Sequence, residues 1–208
     1  MTCMTSNIEE YLQREFAVSR GTYEKLERYA QLLKERNDEF NLIGRGTIDH
    51  IWERHIVDSL QLTKYLNQGD CILDFGSGAG LPGIILAIAG FETISVESIA
   101  KKCSFQQEIV DELGLNCQIV NERIENFHVK RDLIITARAV APLKKIFSLS
   151  HKHIEKAQKS LFLKGRNYKK EISEAEKFWN FKYKTYKSMT SDESVIIEIS
   201  GLKWKLSR

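Results

Sequence analysis

Apolar positions in the first part of the chain recur at helical spacing: Tyr23, Leu26, Tyr29, Ala30, Leu33 and Phe40 fall on one stripe. Ile51, Ile56, Val57, Leu60 and Leu62 predict a further helix, and no strong strand pattern precedes Asp70. After Asp70 the pattern alternates. Short apolar runs at Cys71–Phe75, Glu92–Glu97, Asn116–Val120, Asp132–Thr136 and Ser160–Leu163 predict buried strands. Between them, Pro82–Ala89, Ile99–Leu113, Val140–Ala157 and Tyr168–Phe178 predict helices, with Pro82 tolerable in a first turn and Gly114 as a stop. Phe181–Tyr186 and Val195–Ile199 follow as strands with no helical pattern between them, so an antiparallel pair is expected. Strand–helix repetition of this kind implies an α/β fold, a mostly parallel seven-stranded sheet covered on both faces. The expected division is a helical extension over 1–66 and one α/β domain over 67–208.

Composition changes this picture little. The 208 residues suit one sizeable domain, and 42% hydrophobic with 28% charged residues is ordinary for a globular chain. No apolar run approaches the roughly 18 residues of a membrane span. Met1–Glu10 lacks the basic and apolar blocks of a secretory signal, so a cytoplasmic protein is expected. Cys3, Cys71, Cys103 and Cys117 lack Cys-x-x-Cys spacing and a companion His cluster, which argues for reduced thiols and no metal site. The charge is unevenly placed. Between His128 and Lys187 stand sixteen Lys or Arg against five Asp or Glu, leaving fifteen basic and twenty-three acidic residues elsewhere. A basic face that meets a polyanion is the expectation.

Ligands in such sheets bind beyond the carboxyl ends of the strands, near the topological switch point. The first strand runs straight into Asp74-Phe75-Gly76-Ser77-Gly78-Ala79-Gly80. An overlapping stretch, Gly78-Ala79-Gly80-Leu81-Pro82-Gly83, satisfies the dinucleotide pattern G-x-G-x-x-G. That match begins about three residues beyond the strand, late for a tight strand–helix turn. Asp74 at the strand tip would also repel a pyrophosphate. S-adenosylmethionine has no phosphate and carries a sulfonium and an ammonium, so the loop is read as its site. Gly76, Ser77 and Gly78 are expected beside its methionine part and Leu81 at the opening of the helix. Glu97, at the tip of the second strand, is placed to accept hydrogen bonds from ribose hydroxyls.

The stretch DFGSGAGLPG resembles the bacterial small-subunit ribosomal RNA methyltransferase G family, also called the glucose-inhibited division protein B family. Elsewhere in the chain, Arg54-His55-Ile56-Val57-Asp58-Ser59-Leu60, Glu97-Ser98 with Lys101, Lys102 and Phe105, Arg123-Ile124-Glu125, Arg138-Ala139-Val140-Ala141 and Leu163-Lys164-Gly165 are similar to its motifs. Asn37, Asn41 and Leu42 resemble another, with Arg36 where tryptophan and Ile43 where threonine are usual. Six such motifs in order cover nearly the whole chain. The resemblance implies a class I S-adenosylmethionine-dependent methyltransferase with a Rossmann-like sheet. It also implies transfer to N7 of one guanine in the decoding-region loop of 16S RNA, with the RNA or an assembling 30S particle as partner; nothing demands more than a monomer.

By the same analogy, the Ile124 backbone and the Glu125 carboxylate suit the adenine of the donor. Arg138, at the tip of the fourth strand between donor and substrate, is expected to hold the donor carboxylate or an RNA phosphate. Arg54 and His55 are expected to face the target base or its phosphate, and Lys101, Lys102 and Lys164 are candidates for phosphate contact. Guanine N7 carries a lone pair at neutral pH, so the transfer asks for alignment rather than a general base. The missing motifs agree. Thr136-Ala137-Arg138-Ala139 stands where amine methylation commonly places an acid or amide followed by Pro-Pro-aromatic, and no cysteine lies near the later strand tips. A protein or small-molecule methyltransferase, and a nicotinamide-dependent oxidoreductase built on GAGLPG, remain the alternatives at this level.

Overall fold

The structure is a computed structural model that describes residues 7–205. Cys3, and most of the segment from which the lack of a signal was read, lie outside the described residues. Seven strands form one sheet in the order β3-β2-β1-β4-β5-β7-β6. They are β1 (Cys71–Phe75), β2 (Glu92–Glu97), β3 (Cys117–Asn121), β4 (Ile134–Arg138), β5 (Lys159–Lys164), β6 (Trp179–Lys187) and β7 (Val195–Trp204). The first five pair in parallel; β7 runs antiparallel to both β5 and β6. The order reverses at β1, so the loop leaving β1 opens at the switch point. No helix of the described residues is long and apolar enough to cross a membrane.

Alternate residues of β1 face different layers. Leu73 and Phe75 join a cluster with Ile146 and Phe147 of α6 (Leu143–Ile154) and Ala175 of α7 (Tyr168–Glu176). On the other face lie α4 (Gly83–Ile88) and α5 (Ala100–Leu113), and there the N-terminal helices α1 (Ile8–Phe16) and α2 (Arg20–Phe40) dock. Leu26, Tyr29 and Leu33 of α2 share one apolar cluster with Ile84, Ile85, Phe105 and Ile109. Arg36 forms an ion pair of 2.7 Å with Glu108 of α5, so the position usually held by tryptophan ties two helices by charge. Asn37 is buried and its Oδ1 accepts the Ile43 amide at 2.8 Å, turning the chain out of α2.

Three expectations are corrected. β4 covers Ile134–Arg138 rather than Asp132–Thr136. β7 continues past Ile199 to Trp204, because Gly201, at φ +62°, sits beside a register shift opposite Asn180–Lys182 and keeps the pairing going. The single helix predicted around Ile51–Leu62 is instead a broken one. It runs as a 3-10 turn (Arg45–His50), a π turn (Trp52–Val57), one turn of α-helix, α3 (Asp58–Leu60), and a second 3-10 turn (Gln61–Tyr65). Its apolar side chains are buried as the periodicity requires, but its backbone follows tertiary contacts described below.

Asp74 clamps the sheet to α4. Its carboxyl is fully buried on the α4 side, Oδ2 accepting the Gly83 amide at 2.9 Å and Oδ1 the Thr136 hydroxyl of β4 at 3.1 Å. Burial pushes its pKa up to about 7, against the lowering effect of those two hydrogen bonds and of Arg138. The folded pKa is above the unfolded value, so this group's contribution is fully present below about pH 4 and is lost as pH rises through 7. Asp74→Asn keeps both hydrogen bonds, the amide donating to a rotated Thr136 hydroxyl, and carries no charge. Its stability relative to the wild type should therefore rise between pH 5 and pH 8, by about 1 kcal/mol or more, in urea titrations at the two pH values. An unchanged difference would show that Asp74 does not titrate in this window.

Candidate active site

The loop after β1 folds back on itself above the sheet. Its glycines are not equivalent. At Gly76 (φ +63°) an added Cβ would stand 2.7 Å from Val140, and at Gly80 (φ +85°) 2.2 Å from Ile84, so both are sealed by neighbours. Gly78 (φ +59°) has open space around the same position, which leaves the crest of the loop free for a ligand to approach. Ser77 is buried and hydrogen-bonds Ser95 of β2 at 2.7 Å and Gln106 of α5 at 2.8 Å, while Gln106 also donates to the Gly78 carbonyl at 2.9 Å. The Tyr29 hydroxyl donates to the Ala79 carbonyl at 2.9 Å, so the N-terminal helices hold the loop directly. Leu81 is buried in the cluster beneath, and Pro82 stands just before α4 rather than inside it.

Glu97 is brought to this loop. Its Oε2 accepts the Gly78 amide and its Oε1 the Ile99 amide, both at 2.9 Å. Each oxygen keeps a lone pair, and a carboxylate fixed in this way can accept from a vicinal diol. The Asp74 carboxylate does something different from what its place at the strand tip suggested. It turns under the loop to the start of α4, so it is not the group that would meet a pyrophosphate. Ile124 is buried with its carbonyl 3.2 Å from His153 Nε2, whereas Glu125 is exposed and its carboxylate forms no hydrogen bond or ion pair among the described residues. Lys101 is exposed and Lys102 half-buried on the first turn of α5.

A second group of predicted residues meets at the C-terminal end of β4. Arg138 donates to the Arg54 carbonyl at 2.8 Å, to Asp58 Oδ2 at 3.2 Å and to His55 Nδ1 at 2.9 Å. Guanidinium has no acceptor, so Nδ1 must be the bare nitrogen and Nε2 must carry the proton toward Thr47 Oγ1, 2.9 Å away. Thr47 in turn donates to the Gly44 carbonyl at 2.7 Å. Burial, then the charges of Arg138 and Arg54, pull the His55 pKa down to about 3, so the ring is neutral at physiological pH. The Arg54 carbonyl lies in the π turn and accepts from Arg138, so the irregular stretch of this helix is the part that meets the β4 tip.

Sequence reasoning missed Asp58 as a working residue, although it lies inside the quoted Arg54–Leu60 segment. Its Oδ1 accepts from Gln61 and Thr190, both at 2.9 Å, and Gln61 accepts the Met189 amide at 2.9 Å. These bonds fasten the β6–β7 turn to the broken helix across more than a hundred residues of sequence. Nothing local marks Ser188 and Thr190 except a run of small polar residues between two strands. The result is a cavity of about 330 Å³, bounded by Arg54, His55, Arg138, Lys164, Ser191 and Ser194, among others. Lys164 is half committed inside the protein: it pairs with Glu171 at 2.9 Å, donates to the Ala141 carbonyl and, through burial, has a lowered pKa. The cavity therefore offers hydrogen-bond donors, the basic side chains of Arg54, Arg138 and Lys164, of which the last two are paired with carboxylates, and a neutral imidazole whose basic nitrogen is already engaged.

Comparison with known proteins places this geometry. The family model for rRNA small subunit methyltransferase G matches residues 22–197. The chain is 41% identical over 199 residues to the ribosomal RNA small subunit methyltransferase G of Orientia tsutsugamushi (strain Ikeda), covering 94% of this chain and 99% of that one. It is 36% identical over 191 residues to the protein of the same name from Ruegeria pomeroyi, covering 89% and 94%. Among solved structures, the glycopeptide N-methyltransferase MtfA complexed with S-adenosyl-L-methionine aligns with a TM-score of 0.57 at 9% identity, over 70% of this chain and 94% of that one. The ribosomal protein L11 methylase of Lactobacillus delbrueckii subsp. bulgaricus gives 0.55 at 15% identity, over 69% and 76%; these likenesses show a class I methyltransferase fold. By its sequence the chain belongs to the rRNA small subunit methyltransferase G family.

Proposed function

We propose that the protein methylates N7 of a guanine in the decoding-region loop of small-subunit RNA, using S-adenosylmethionine and no general base. The observation that carries the base-free reading is the state of His55. It is neutral, its pKa is about 3, and its only basic nitrogen accepts from Arg138. The nearby Asp58 carboxylate is engaged by Arg138, Gln61 and Thr190. An acceptor that must lose a proton would find no free base here. Guanine N7 presents a lone pair and needs none.

The bound donor would supply a methyl group on a positively charged sulfur. The chain's residues do the positioning. The open crest at Gly78 admits the methionine part, Gly76 and Ser77 shape the loop beneath it, and Glu97 accepts from the ribose. Ile124 and Glu125 border the adenine side by family analogy, and Leu81 backs the loop. Arg138 and His55 border the acceptor cavity, with Arg54 at its rim and Lys101 and Lys102 on the donor side available to phosphates. Holding acceptor and methyl carbon in line is worth far more here than proton transfer. A single-stranded loop with a splayed base suits a cavity of this size, because A-form grooves hide base edges.

Methyl transfer from labelled donor to small-subunit particles lacking the modification, followed by digestion to nucleosides, should place the label in N7-methylguanosine. Label in another nucleoside, or in protein, would overturn the assignment. Arg138→Ala should lower kcat by about 100-fold through misplacement of the acceptor, and Arg138→Lys should not restore it, since the three donors of a single ammonium nitrogen do not reproduce the planar fork that spans these acceptors from two nitrogens. Wild-type turnover in either variant would remove Arg138 from the site.

A further inference from the structure

The outer face of α6 carries charge that neither the fold nor the catalytic cavity uses. Lys145 and Lys152 stand seven residues apart on one face of α6, and Lys156 follows in the turn two residues beyond the helix end, its amide donating to the His153 carbonyl at 3.1 Å; all three are exposed. At 1.5 Å per residue the row is about 16 Å long. Among the described residues none of the three forms an ion pair within 4 Å.

The two ends of the row are informative. At its start, α6 follows the catalytic strand tip directly: Leu143 is held by Glu171, the partner of Lys164 on the cavity wall. At its far end, Lys152 and Lys156 line a cavity of about 630 Å³ at the opposite edge of the sheet, together with His128, Lys130 and Arg131. Arg131 is held there in a bidentate pair with Glu92 at 2.7 and 2.8 Å, which leaves Lys130 as a further exposed cation. Asp132 is the one acidic residue of this lining.

Helix stability accounts for only part of this arrangement. Basic residues at a carboxyl-terminal helix end favour the helix dipole, so Lys152 in the last turn and Lys156 just beyond it are accounted for without a ligand. Lys145 lies in the first turn, where a positive charge is unfavourable and where α6 has no acidic residue. Its neighbour Lys144 is committed to the Phe178 ring, 3.8 Å from its centre, but Lys145 has no such contact.

The geometry points to a phosphate track: Lys145, Lys152, Lys156 and Lys130 bind the RNA backbone that leads away from the acceptor cavity, along α6, to the amino-terminal edge of the sheet. The proposal rests on RNA being the substrate. The track would contribute affinity and register but no base recognition, because lysines meet phosphates as point charges.

The experiment compares wild type with the triple variant Lys145→Gln/Lys152→Gln/Lys156→Gln. A second triple variant, Lys182→Gln/Lys184→Gln/Lys203→Gln, removes equal charge from the β6–β7 edge. Binding of small-subunit RNA is measured by filter retention across a salt series, and KM and kcat are measured on the same RNA. The α6 variant should bind at least tenfold more weakly at low salt, with a log K against log salt slope shallower by about 2. Its KM should rise while kcat stays near wild type, and the edge variant should behave like wild type. An unchanged slope, or an equal loss in both variants, would overturn the track. Binding is read without turnover, so a wild-type protein that binds RNA but does not methylate it would sink the proposed function and leave the track standing.

Discussion

One guanidinium organises the acceptor side. Arg138 is the last residue of β4, and its donors reach a backbone carbonyl, an imidazole and a carboxylate on a segment 80 to 84 residues earlier in the chain. The arginine side chain and its Asp58 partner are largely buried, and a planar ion with several fixed donors suits such a position better than an ammonium. Asp58 passes the connection on to the β6–β7 turn. The strand tip, the broken helix and the last hairpin are thereby held around one cavity. The tautomer of His55 follows from that side chain, and its charge adds to burial in lowering the His55 pKa.

The donor side is built on a different principle. There the backbone does the work, and buried side chains fix the backbone. Asp74 ties β1 to α4 from below, Ser77 and Gln106 tie the loop to β2 and α5, and Tyr29 ties it to the N-terminal helices. Only Gly78 is left with open space. The loop is held on three sides and free on the fourth, which faces the carboxyl ends of the strands. A fixed glycine loop and a cavity whose His55 and Asp58 are both engaged by neighbours are what the proposed reaction, controlled by alignment, would need.

Much of this was legible in the sequence, and the rest failed for identifiable reasons. The parallel strands are buried on both faces, so they read as continuous apolar runs, and the glycine loop follows β1 without a gap. β4 was placed two residues early because Asp132 and Leu133 extend the apparent run before pairing begins. The broken helix has a helical apolar rhythm, but its π turn meets Arg138 from a strand 84 residues on, which no local pattern announces. Asp58 stood in plain view within a motif, yet its role depends on Thr190, 132 residues away. Asp74 was read from its position at a strand tip, whereas its direction is set by the pleat, which turns it toward α4. Periodicity thus carries burial and topology well. It carries hydrogen bonds between distant segments poorly.

The central claim is that transfer occurs in a site without a working base. The most direct measurement is the single-turnover rate of methyl transfer at saturating donor and RNA between pH 6.5 and 8.5. A neutral His55 with its pKa near 3 and an acceptor with a free lone pair predict a rate that is flat across this range. A rate that climbs about tenfold per pH unit and then levels would reveal a base titrating at the site, and would contradict the account.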